Sequence, residues 1–169
     1  MLLRRVGLAV AAVALAAASI LLLTGAQTGA AQGKPQSLQA RIDAAAPGDT
    51  IQVVGGVYNE RIVIDKAVKL KGVNDPVIDG GDEGDVVLIT ASGASIHDFV
   101  LRNGGKSISQ EAAGVKVDGA DEVEIVGNRI EDTRFGVYVL DSTGSTIAYN
   151  TIDLEPDVDV GRRGYAIYL

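Results

Sequence analysis

Few residues in this chain could do chemistry. His97, followed at once by Asp98, is the single histidine; there is no cysteine, and the one methionine is Met1. Cu(I) favours thiolate and thioether, and Cu(II) favours imidazole, so a transition metal finds one borderline ligand here and nothing to complete its shell. His97 is therefore expected as a turn or surface histidine, and no resident cofactor is expected in this stretch. Asp79, Asp82, Glu83 and Asp85 fall within seven residues, separated by glycines. Carboxylate oxygens at that density could hold Ca²⁺, but the spacing is not that of an EF-hand loop, and a solvated acidic turn needs no metal. Lys116, Asp118, Glu131, Asp132 and Arg134 could form an outward binding face. Asn128 and Asn150 stand 22 residues apart. They read either as a polar stripe or as a ladder of stacked amides that satisfies turn backbone.

The elements that must position these residues are short strands. Ser37 is a good N-cap for a short helix whose Leu38, Ile42 and Ala45 share one face. Pro47-Gly48 ends it. Apolar alternations then take over: Ile51 and Val53, Ile62 and Ile64, Val68 and Leu70, Val86 and Leu88, Val115 and Val117, Val137 and Val139. Each is a few residues long and closed by Gly, Asn or Asp, as strands are.

The alternations repeat. Gly114, Val115, Val117, Ile125, Asn128 and Ile130 recur as Gly136, Val137, Val139, Ile147, Asn150 and Ile152, a shift of 22. Backwards, a shift of 29 aligns Val86, Leu88, Ile96 and Leu101, with seven extra residues in the polar stretch 104–112. Forwards, Gly136-Val137 aligns to Gly164-Tyr165 after an insertion around 155–162. Extra residues confined to one corner are the mark of a solenoid, in which each coil contacts only its neighbours. Three strands and three turns fit 22 residues. The expected fold is all-β: a right-handed parallel β-helix domain over 37–169, with five to six coils in 48–169, capped by the Ser37 helix and uncapped at its other end.

Residues 1–31 read as an address. Arg4 and Arg5 precede eighteen uncharged residues, Val6 to Leu23, and then a small, polar stretch. That is the order of a secretory signal. An uncleaved anchor is the alternative, since eighteen helical residues rise about 27 Å. Residues 32–36 make a linker. The remainder is expected outside the cytoplasm, in the periplasm or cell envelope, and touches membrane only if the signal stays. It carries 22 acidic against 13 basic residues, which argues against nucleic-acid backbone as a partner.

The run SLQARIDAAAPGDTIQVVGGVYNERIVIDKAVKLKG opens like the carbohydrate-binding and sugar-hydrolase β-helices of the pectin-lyase type. The continuation, AAGVKVDGADEVEIVGNRIEDTRFGVYVLDSTGSTIAYNTI and then RRGYAIYL, resembles the NosD family. That resemblance implies an exported β-helix associated with maturation of the copper centres of nitrous oxide reductase, with a membrane transporter and the apo-reductase as protein partners. Copper enters by the resemblance alone. Family members are longer, so the chain would match their N-terminal part.

The expected function is thus a non-enzymatic accessory protein. The alternative from another class is a polysaccharide lyase or epimerase-like β-helix acting on or binding acidic glycans. The polygalacturonase arrangement of carboxylates has no counterpart here, since the sequence holds no Asp-Asp pair and no Gly-His-Gly. The acidity of the chain also opposes an anionic carbohydrate unless Ca²⁺ bridges.

Overall fold

The computed structural model describes residues 37–107, 109–154 and 164–169. The proposed signal and linker, and the acidic insertion around 155–162, lie outside the described residues. No helix among the described residues is long and apolar enough to cross a membrane.

Among the described residues, helix α1 (Leu38–Ala44) precedes fifteen strands. The first pass of the chain is β1 (Thr50–Val54), β2 (Val57–Asn59) and β3 (Ile62–Ile64). The second is β4 (Lys69–Val73), β5 (Val77–Asp79) and β6 (Val87–Ile89). The third is β7 (Ser95–His97), β8 (Val100–Arg102) and β9 (Ala113–Asp118). The fourth is β10 (Glu124–Val126), β11 (Arg129–Glu131) and β12 (Phe135–Leu140). The fifth is β13 (Thr146–Ala148), β14 (Thr151–Asp153) and β15 (Ile167–Tyr168). Every third strand pairs, always in parallel, giving three five-stranded sheets. The chain is a parallel β-helix.

Stacking follows from the period-two alternation. Ile51, Leu70, Ile96, Ile125 and Ile147 form one in-register column of the first sheet. Tyr58, Ile78, Leu101, Ile130 and Ile152 form the inward column of the second. Val87, Val115 and Val137 stack in the third. Ile96, Ile125, Leu101 and Ile130 are fully buried, each contributing about 1.5–3 kcal/mol by leaving water. Gly114 and Gly136 occupy one phase because a Cβ there would strike the Ile130 or Ile152 side chain and the carbonyl of the next coil.

Two register expectations are corrected. The partners of Val115 and Val117 are Val87 and Ile89, not Val86 and Leu88. The turn from Ile89 to Ile96 is one residue shorter than that from Val117 to Ile125, and a one-residue slip exchanges the faces of a strand. Leu88 consequently faces outward beside Lys116. In the last pass Val137 pairs with Ile167, a shift of 30, so the partner of Gly136-Val137 is not Gly164-Tyr165.

The cap on the first pass is built by both sides. Ser37 Oγ accepts from the Ala40 amide, while the Glu60 carboxylate accepts from the Leu38 and Gln39 amides at 2.7 and 3.2 Å. Lys66 donates to carbonyls at the other end of α1. Opposite charges thus meet opposite ends of the helix dipole. The Gln39 side chain accepts from Val63 N and donates to Val63 O, as a neighbouring strand would, and so covers the open edge of β3.

Candidate functional site

The three corners of the coil differ in freedom, and that difference locates the site. From the first sheet to the second, inward residues are separated by seven and eight residues in the first two passes and by five thereafter (Ile96 to Leu101, Ile125 to Ile130, Ile147 to Ile152). From the third sheet to the first they are separated by six to eight. From the second to the third the separations are four, nine, fourteen, seven and fifteen: Tyr58 to Ile62, Ile78 to Val87, Leu101 to Val115, Ile130 to Val137 and Ile152 to Ile167. Loops that vary over a rigid scaffold are where binding residues concentrate.

This variable corner gathers the acidic residues singled out in the sequence. Asp79 ends β5, where Arg102 Nε donates to it at 2.8 Å and Asn103 Nδ2 at 2.9 Å. Burial pushes the Asp79 carboxyl up, but the Asn103, Gly81 and Arg102 hydrogen bonds and the Arg102 charge outweigh it and hold it below the ordinary range. Asp82 and Glu83 are exposed; Lys106 Nζ lies 3.6 Å from Asp82, and Arg61 Nη2 lies 3.7 Å from Glu83. Asp85 accepts from the Ala113 amide at 2.9 Å. Its burial pushes the carboxyl up despite that bond and nearby Lys116 and Arg61. The four carboxylates are thus dispersed among separate partners. Among the described residues no three His, Cys, Asp or Glu side chains converge as a metal would require.

The proposed outward face does not assemble as one surface. Lys116 lies outward on the third sheet, its ammonium 5.3 Å from the Tyr138 ring centroid, and Asp118 ends the same strand. Glu131 belongs to the second sheet and pairs with Arg129 at 2.8 Å. Asp132 sits at the variable corner, bound to Lys106 at 2.6 Å. Arg134 is buried and donates from Nε and Nη2 to the Lys106 carbonyl, holding the 104–112 insertion against the fourth pass.

His97 is half-exposed on the outer side of the first sheet, with Nε2 3.3 Å from Glu124 Oε2 but without hydrogen-bond alignment. Asp98 follows in the left-handed conformation. One imidazole with one carboxylate does not fit a copper ion. The asparagines lie in the first corner. Asn128 is buried; its Oδ1 accepts from Phe99 N at 3.0 Å, and its Nδ2 donates to Ile96 O at 2.9 Å. Asn150 repeats both contacts one coil later, accepting from Asn128 N and donating to Ile125 O.

One feature escaped sequence reading. On the outer face of the third sheet, Val63, Leu88, Lys116, Tyr138 and Tyr168 form one column. Tyr138 and Tyr168 stack with centroids 4.6 Å apart, and Phe135 meets Tyr138 edge-on at 5.2 Å. Burial and Glu111 push the Tyr138 hydroxyl up to about 12. Aligning the last strand with a shift of 30 would have shown it, because that shift superposes Phe135 on Tyr165 and Tyr138 on Tyr168.

Residues 53–160 match a family model described as periplasmic copper-binding protein (NosD). The probable ABC transporter binding protein NosD of Pseudomonas aeruginosa is 28% identical over 118 residues, covering 69% of this chain and 28% of that protein. The protein of the same description from Stutzerimonas stutzeri is 27% identical over 155 residues, covering 91% and 35%. The chain therefore spans about a third of the length of these curated relatives. A solved mutant pectin methylesterase in complex with a hexasaccharide superposes with a TM-score of 0.45 at 18% identity, over 75% of this chain and 54% of that one.

Proposed function

The chain belongs to the NosD family of periplasmic copper-binding proteins, and from that premise we propose that it is an exported, non-catalytic β-helix that assists maturation of the copper centres of nitrous oxide reductase through protein contacts. The partners would be a membrane ABC transporter, in keeping with the name its relatives carry, and the apo-reductase. One observation carries the reading beyond the family match. The chain has no cysteine, one histidine and no methionine except Met1, so this stretch offers no soft ligand set of its own, which favours a part in copper assembly played through protein contacts or through ligands outside this stretch. The variable second-to-third corner, with its paired charges, is the surface offered for docking; rim charges of this kind set orientation and encounter rate more than affinity.

The test uses the full chain, its cognate transporter in nanodiscs and the apo-reductase from the same organism. Surface plasmon resonance is expected to show binding to one of them, weakened by deleting residues 107–110 and unchanged by Arg129→Ala. Absence of binding to both would overturn the docking role. Titration with Cu(I) and Cu(II) beside His97→Ala is expected to show only weak uptake indifferent to the substitution. Tight one-to-one uptake that depends on His97 would make the chain a copper carrier in its own right.

A further inference from the structure

We infer that Asn103 is a deamidation site, at which the backbone amide of Gly104 closes on the asparagine side chain, and that Asp79 is the positioning residue that restrains the reaction. Ring closure needs a free backbone amide beside a side-chain amide, with no side chain obstructing the two. Asn103-Gly104 is the one Asn-Gly step in the sequence; Asn59, Asn74, Asn128 and Asn150 precede Glu, Asp, Arg and Thr, whose side chains hinder the ring. Asp79-Gly80 and Asp118-Gly119 are equally unobstructed, but their glycine amides are engaged. Gly80 N donates to Arg102 O at 2.9 Å, and Gly119 N donates to Leu140 O at 3.1 Å. Gly104 N donates to no group among the described residues. Gly104 is buried, and a buried amide without an acceptor is an uncommon state that calls for a reason.

The step balances without a co-reactant other than water. Gly104 N, its proton lost to solvent, attacks Asn103 Cγ. The Cγ–Nδ2 bond breaks, Nδ2 leaves as ammonia, and a cyclic imide remains. Water then opens the imide at either carbonyl and leaves aspartate or isoaspartate at position 103. The fold works against the attack. Asn103 Nδ2 donates to Asp79 Oδ1 and Oδ2 at 2.9 and 3.0 Å, and bonds to an ionised acceptor are roughly twice as strong as neutral ones. The backbone of Asn103 is fixed in the left-handed conformation, which a short polar side chain tolerates. Conversion removes both donors and sets a second carboxylate against Asp79, where like charges repel. The isoaspartyl form also lengthens the backbone at the entrance to the 104–112 insertion. The insertion therefore loosens as the molecule ages. An effect of that loosening on partner docking rests on the reading proposed above; the chemistry at Asn103 does not.

The test incubates the full chain at neutral and at mildly alkaline pH and follows every asparagine by peptide mass mapping, with isoaspartate counted by an isoaspartyl methyltransferase. Asn103 is expected to convert before any other asparagine, and faster at the higher pH because the attacking amide must lose its proton. Asp79→Ala should speed the conversion by about tenfold, the factor that corresponds to losing one charge-assisted hydrogen bond. Asp79→Asn, which keeps one acceptor oxygen, should fall between the two and carries the comparison if Asp79→Ala does not fold. Arg129→Ala, on the second sheet, should leave the rate unchanged. Circular dichroism checks that each variant is folded, and the chain unfolded in urea supplies the unrestrained rate. Earlier conversion of another asparagine, a rate at Asn103 indifferent to both Asp79 substitutions, or a folded chain that reacts as fast as the unfolded one would overturn the inference. None of these outcomes bears on transporter or reductase binding, so the docking proposal stands or falls separately.

Discussion

The first and second corners of the same coil obey opposite rules. In the first, five residues join the inward positions in three successive passes, and Asn128 and Asn150 answer the backbone of the turn before them. In the second, four to fifteen residues do the joining, and ion pairs among exposed side chains stand beside the more buried contacts of Asp79 and Arg134. A corner whose buried backbone is satisfied by a stacked side chain cannot change length without orphaning it. A corner held in part by exposed ion pairs has more room to, since doubling a loop costs only about 0.6 kcal/mol. The solenoid thus keeps one side for holding coils in register and another for contact with other molecules.

The largest way to break the comparison is Asn128→Ala. It leaves Phe99 N buried without its acceptor, and a loss of about 1–3 kcal/mol is expected from the usual cost of such a group. Chemical denaturation followed by circular dichroism measures it; a loss below that of Asn150→Ala, which lies nearer the surface, would contradict the stacked-amide account.

Next come Asp79 and Asp85, which titrate in opposite senses. Asp79 is held below its ordinary range, so the stability it contributes is present above the unfolded carboxylate value and is lost as pH falls through the lower folded one. Asp79→Asn should therefore destabilise by about 1 kcal/mol at neutral pH, a figure kept small because Arg102 is partly exposed. The deficit should vanish in acid. Asp85 is pushed up, so its stabilising effect belongs to low pH and is lost as pH rises through the folded value. Asp85→Asn should be neutral or slightly stabilising at pH 7, because an amide oxygen still accepts from Ala113 N. Thermal melts across pH 3–7 decide both, and parallel pH profiles for the two variants would refute the assignment.

The smallest effect sharpens the contrast from the other side. Deleting residues 107–110 from the 104–112 insertion should change stability by no more than about 0.5 kcal/mol, on loop-closure grounds. A melting transition shifted as far as that of Asn128→Ala would mean the variable corner is structural after all.

The shift of 22 from Gly114 to Gly136 and from Ile130 to Ile152 determined the coil by itself, and with it the all-β class and the parallel pairing. The reason is that in a stacked solenoid equal sequence spacing means contact, so a one-dimensional repeat is already a contact map. Asn128 and Asn150 were legible for the same reason. Where an insertion interrupts the repeat, that equivalence fails. The register of Val87 on Val115, the aromatic column ending at Tyr168 and the partners of Asp79, Asp82, Glu83 and Asp85 depended on how many residues each corner spends, which alternation alone does not count. Asp79 and Arg102 lie 23 residues apart and meet because two corners close around them; Asp85 takes the Ala113 amide while Glu83, two residues before it, takes Arg61. Burial and pairing at such corners are properties of the closed coil, and there only the tertiary structure decided which charges are partners, which are free to meet solvent and which way each one titrates.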